Sequence, residues 1–136
     1  MKNGTDQILP QGEKNDAYAA CFTGQSYLAL LANNDDVSAF NVTFEPGCRN
    51  HWHAHLGSGQ ILICTAGEGW YQEAGKPARR LRAGDVVDIP AGVKHWHGAA
   101  KDTWFSHIAL SAKKAGAGSE WFEPVGDDKY HQLPAE

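Results

Sequence analysis

Apolar and polar positions along the middle of the chain form short runs, each closed by turn-forming residues. Ser26 to Ala32 is the first, ended by Asn33-Asn34-Asp35-Asp36, and Val37 to Glu45 the second, ended by Pro46-Gly47. Gln60 to Ala66 is continuously apolar after its first residue, which predicts a strand buried on both faces. Gly69 to Glu73, Arg79 to Arg82, Val86 to Ile89, His95 to Ala99 and Thr103 to Ser111 follow. Gly67, Gly75-Lys76-Pro77, Gly84-Asp85, Pro90-Ala91-Gly92 and Lys101-Asp102 separate them. No helical period is sustained through this region. Short strands at regular spacing, with turns between, predict an all-β sandwich or barrel. Residues 1–21 read as a polar arm without its own core, 22–112 as the barrel, and 113–136 as a tail of the same single domain. In that tail Gly116 and Gly118 mark a flexible link, and Asp127 to His131 a short helical turn.

Charge narrows the partners. Twelve Lys and Arg face 16 Asp and Glu, a net charge of −4 that lacks the basic footprint nucleic acid requires. No run has the length of a secretory apolar core or of a ~20-residue membrane span, so the expectation is a cytoplasmic protein with no membrane partner. The three cysteines, Cys21, Cys48 and Cys64, are odd in number and lack a CxxC spacing, which suits reduced thiols rather than a disulfide framework. Arg79, Arg80 and Arg82 read as a solvated turn. The polar arm, the exposed barrel edges and five Trp predict a homodimer or homotetramer.

Six of seven histidines fall in three places: His51, His53 and His55; His95 and His97; and His107. Side chains alternate between faces along a strand, so His51, His53 and His55 share one face and His95 and His97 share another. Two imidazoles on one strand, joined by a third from a neighbouring strand, are how a sheet builds a metal site, because neutral imidazole suits first-row metals. Phe40, Val42 and Phe44 likewise point one way, assigned to the pocket, with Asn41 and Thr43 opposite. Gln60, Leu62 and Cys64 also share a face. Phe40, Val42 and Leu62 are therefore expected to wall the substrate pocket, Phe40 limiting its size.

The stretch from Gly47 through His53, His55 and Gln60 to Gly67 resembles the first cupin motif, G(X)5HXH(X)4E(X)6G, with Gln60 in place of Glu. Gly84 through Pro90 and Gly92 to His95 resembles the second, G(X)5PXG(X)2H(X)3N, with Ala99 in place of Asn. This resemblance implies a double-stranded β-helix (jelly-roll) barrel of two antiparallel sheets. It implies one divalent metal per chain on His53, His55, Gln60 and His95, with Mn first and Fe, Ni or Zn as alternatives. The pattern is similar to small bacterial single-domain cupins that include manganese hydroxynitrile lyases and carboxymuconolactone-decarboxylase-associated proteins. In such proteins, groups matching Asn50, His97 and His107 line the pocket, which implies catalytic roles for these three.

Three imidazoles and an amide are neutral ligands, so the ion would keep its full charge and lower the pKa of a bound hydroxyl. Four protein ligands leave positions open for a small molecule, as catalytic sites do. The sequence thus predicts a metal-dependent lyase acting on an α-hydroxy compound such as a cyanohydrin. The competing expectations are an iron dioxygenase and a non-catalytic ligand-binding or sensing module.

Overall fold

The computed structural model describes residues 7–134. Its elements are β1 (Glu13–Lys14), β2 (Phe22–Thr23), β3 (Ser26–Asn33), β4 (Val37–Phe44), β5 (Arg49–Asn50) and β6 (His53–Leu56). They continue with β7 (Gln60–Glu73), β8 (Arg79–Arg82), β9 (Val86–Ile89), β10 (His95–Ala99), β11 (Phe105–Ala112), β12 (Gly118–Trp121) and α1 (Asp127–His131). All strand pairs are antiparallel, and they form two facing sheets that curl into a barrel. One sheet runs β1-β3-β4-β11 and continues into the first half of β7, which also pairs with β9. The other contains the second half of β7 with β8, β10, β5 and β2, while β6 and β12 extend it beyond β10.

The predicted strands at 60–66 and 69–73 are one 14-residue strand, β7, that serves both sheets. The chain continues through Gly67, whose φ is +72°. A Cβ at this position would lie 1.9 Å from the Trp104 carbonyl oxygen, so only glycine fits the crossing. The partner strand β11 carries a register shift between Ser106 and His107 at the same level, a bulge that re-aims the residues around it. The expectation that 60–66 is buried on both faces does not hold. Leu62, Cys64 and Ala66 are buried, whereas Ile61 remains 37% exposed, so the run is a one-sided strand made of apolar residues throughout.

The main core holds Val42, Phe44, Cys48, Leu62, Cys64, Leu81, Val87, Ile89 and Phe105. A second cluster gathers Trp70, Trp96, Ala100, Val125 and Tyr130, so the tail packs against the outside of the barrel. The Tyr130 hydroxyl donates to the Ala99 carbonyl at 2.6 Å, and Arg49 lies 4.0 Å over the Tyr130 ring while pairing with Asp127. The N-terminal segment covers the other sheet. Asn41 and Thr43 face away from the barrel interior, as expected, yet both are fully buried. The Asn41 amide donates to Gln7 Oε1 and the Pro10 carbonyl at 2.9 and 2.8 Å, and Gln7 donates to Thr43 Oγ1 at 3.0 Å. Arg79–Arg82 is strand β8, as its place among the short runs predicted, so its arginines do not form a solvated turn; Arg80 donates to Glu68 at 2.8 Å over the face of Trp70.

Candidate metal centre and substrate cavity

A cavity of about 510 Å3 opens between the sheets. Three elements of the second sheet converge on it. Strand β6 brings His53 and His55, β10 brings His97 with His95 behind it, and β5 brings Asn50. Strand β11 of the first sheet contributes His107, and the first residue of β7 contributes Gln60. Phe40, Val42 and Leu28 supply apolar wall.

His53 and His95 are register partners with ring centroids 4.2 Å apart. His55 lies 5.2 Å from His53 and 5.3 Å from His95. The Nδ1 atoms of His53 and His95 each face a carbonyl two residues earlier, His51 and Val93, both at 2.8 Å. A carbonyl only accepts, so both rings carry their proton on Nδ1 and turn Nε2, with its lone pair, toward the centre. The Nε2 atoms of His55 and His95 are buried and have no hydrogen-bond partner. A buried acceptor left unpaired is costly unless something binds it, so the donor set fits a metal ion. The Gln60 amide nitrogen donates to Ser111 Oγ at 3.2 Å, which turns its carbonyl oxygen toward His55 and the centre. The donor atoms of His53, His95 and His97 all lie within 4.8 Å of one another, so His97 stands closer to the candidate ligands than a proton-handling role alone requires.

Burial dominates the electrostatics. It lowers His53 to about 3, with the neighbouring His95 adding to the effect, and lowers His95 to about 4. Burial also lowers His107 to about 4, and it lowers His97 well below its usual value with His107 adding to the effect. His55 is lowered by burial against an opposing contact from Gln60. All five are neutral at pH 7, the state a metal ligand or general base requires. His97 sits in a polar group with Asn50 and His107. Asn50 Oδ1 accepts from the His97 backbone N–H at 2.9 Å, and its amide nitrogen lies 3.2 Å from His97 Nε2. His107 Nε2 is 3.1 Å from His97 Nδ1.

His53, His55, Gln60, His97, His107, Asn50, Phe40 and Val42 all line the cavity. Leu62 does not. It is fully buried in the main core among Val42, Val87 and Ile89, because along β7 only Gln60 reaches the cavity. Cys64 is buried beside it, its thiol pushed up to about 12 by burial. Phe44 lies beneath the cavity, its ring 5.4 Å from that of His107. His51 falls between β5 and β6 and offers the site its carbonyl rather than its ring. Both chain ends also reach the cavity, through Asn15 and Tyr18 on one side and Gly118, Ser119 and Trp121 on the other. The Trp121 ring stacks on His53 at 4.6 Å. No local sequence signal marks this wall, because it depends on β12 pairing with β6.

A barrel of two antiparallel sheets with histidines converging on its cavity defines the class: a double-stranded β-helix with a metal-type site. The cupin domain family matches residues 40–108. The chain is 45% identical over 114 residues to a protein named (R)-mandelonitrile lyase from Granulicella tundricola, covering 82% of this chain and 86% of that one. A cupin-like protein from Thermotoga maritima superposes with a TM-score of 0.85 at 42% identity, over 93% of this chain and 96% of its own. A double-stranded beta-helix protein from Klebsiella pneumoniae shares the fold at a TM-score of 0.64 and 18% identity, over 72% and 84% of the two chains. This chain belongs to the cupin family. Among the described residues no helix is long and apolar enough to cross a membrane.

Proposed function

We propose that this cupin is a manganese-dependent lyase that splits an aromatic α-hydroxynitrile into an aldehyde and hydrogen cyanide. The observation that carries the reading is the cluster of neutral histidines at the cavity, His55 and the underlying His95 with buried unpartnered Nε2 atoms, in a chain 45% identical to a protein named (R)-mandelonitrile lyase. A divalent ion on His53, His55, Gln60 and His95 would supply Lewis acidity toward the substrate hydroxyl.

The chain's own residues do the rest. Phe40, Val42 and Leu28 supply an apolar wall for the substrate's aromatic ring, in a cavity whose size falls within the ~300–1,000 Å3 of small-molecule pockets. His97 starts neutral and takes the hydroxyl proton. The O–H electrons form the carbonyl bond, the C–C bond breaks, and cyanide leaves with its electron pair. Cyanide then takes the proton from His97 and departs as HCN. Burial makes His97 a weak proton holder, so it gives the proton up readily. His107 holds the His97 ring at Nδ1, and the substrate hydroxyl takes the place of the Asn50 amide N–H at Nε2, where the proton is received.

Elemental analysis of the purified protein should find about one metal, mainly Mn, per chain. Benzaldehyde release from mandelonitrile should need that metal, proceed without oxygen, and disappear in His95→Ala together with the metal. Full activity after metal removal would overturn the metal dependence, and no benzaldehyde release from the metal-loaded protein would overturn the lyase reading. So would oxygen uptake coupled to substrate loss, which would favour a dioxygenase.

A further inference from the structure

We propose that β12 is a positioning strand for the two histidines of β6, so that the segment after the barrel helps to hold the metal. The proposal rests on the metal reading above and needs no particular reaction.

Antiparallel pairing places Ser119 opposite His55 and Trp121 opposite His53. Both of these β12 residues touch the histidine they face. The Trp121 ring lies on that of His53, with centroids 4.6 Å apart and planes 26° from parallel. Ser119 Oγ lies 3.4 Å from His55 Nδ1. His55 differs here from His53 and His95, whose Nδ1 atoms are fixed by backbone carbonyls two residues earlier. Among the described residues the Ser119 hydroxyl lies against His55 Nδ1, while Gln60 also contacts this imidazole. Accepting the Nδ1 proton there leaves the unpartnered Nε2 as the ligand atom. The strand is itself anchored: Phe122 N–H donates to the Trp52 carbonyl at 2.8 Å, and Trp52 N–H to the Glu123 carbonyl at 3.0 Å.

The test measures Mn2+ affinity of the full chain by competition with a chelator, and the visible spectrum of the Co2+ form. Outer-shell partners of ligating histidines typically hold about 10–100-fold in metal affinity. Ser119→Ala and Trp121→Ala should each weaken Mn2+ binding about tenfold or more and alter the Co2+ bands. Ser119→Thr and Trp121→Phe, which keep the hydroxyl and the ring, should restore binding to within about threefold. Ser119 is at the surface, so Ser119→Ala decides the matter even where Trp121→Ala does not fold. If wild type binds Mn2+, His95→Ala loses it, and the β12 variants match wild type in affinity and spectrum, this proposal falls and the metal reading stands. If wild type takes up no Mn2+, both fall.

Discussion

Acid should unfold the metal-free protein before its carboxylates titrate. His107 is fully buried and stays neutral in the fold, with its pKa brought from 6.5 down to about 4 by burial. In the unfolded chain it charges at its ordinary pKa. Between the two values the unfolded state binds the extra proton, so stability is complete above pH 6.5 and is lost as pH falls toward 4. At pH 5 the interval below 6.5 is about 1.5 pH units, and at about 1.36 kcal/mol per unit His107 alone costs about 2 kcal/mol. His53 and His95 are depressed in the same direction, to about 3 and about 4. Against a total stability of ~5–15 kcal/mol for a domain, the loss should be large by pH 5. The assay is urea unfolding of chelator-treated protein at pH 7.5, 6.5, 5.5 and 5, repeated on His107→Gln. The glutamine can still face His97 and does not titrate, so its pH dependence should be shallower by about 2 kcal/mol at pH 5. A flat urea midpoint from pH 7.5 to 5, or the same slope in both proteins, would refute the reasoning.

Gln60→Glu should keep the metal while removing one unit of net positive charge, so azide should bind the loaded protein more weakly; unchanged azide affinity would count against a neutral ligand set. Phe40→Ala should widen the cavity toward bulkier aromatic ligands at about 1–2 kcal/mol, less than the ~3–5 kcal/mol of a core Phe, because Phe40 is only half-buried. A loss near the upper figure with an unchanged ligand range would make it a packing residue. We also propose a homodimer or homotetramer. Outward-facing Ile61 and Val86 are 37% and 52% exposed beside Ile63, Ile108 and Leu110 on one sheet face. Light scattering on wild type and Ile61→Lys tests this, and a wild-type monomer at micromolar concentration would contradict it.

The strands and the two cupin motifs were legible because period-2 patterning and glycine-proline punctuation are local signals. The histidines were legible as a group for the same reason, since strand alternation alone puts His53 with His55 and His95 with His97. Three things were not. The fusion of 60–66 with 69–73 was hidden because Gly67 reads as a turn, whereas its positive φ lets the strand pass from one sheet to the other. Leu62 shares a face with Gln60, but face-sharing does not show how far along a strand a cavity extends. The contribution of the ends was invisible because it depends on long-range pairing. Gly118–Trp121 has too few apolar residues to announce a strand, and it becomes one by lying against β6.

That arrangement also bears on when the site can form. A ribosome releases the chain N-terminus first, at roughly 5–20 residues per second. The candidate ligands His53, His55, Gln60 and His95 are all made before β11 and β12. Tyr18, at one edge of the cavity, waits for Trp121 at the other. Until then, β6 lacks its outer neighbour and the nascent chain holds histidines that can capture an ion in an unfinished site. An ion bound on His53 and His55 would therefore be held in its final site only once β12 has paired with β6.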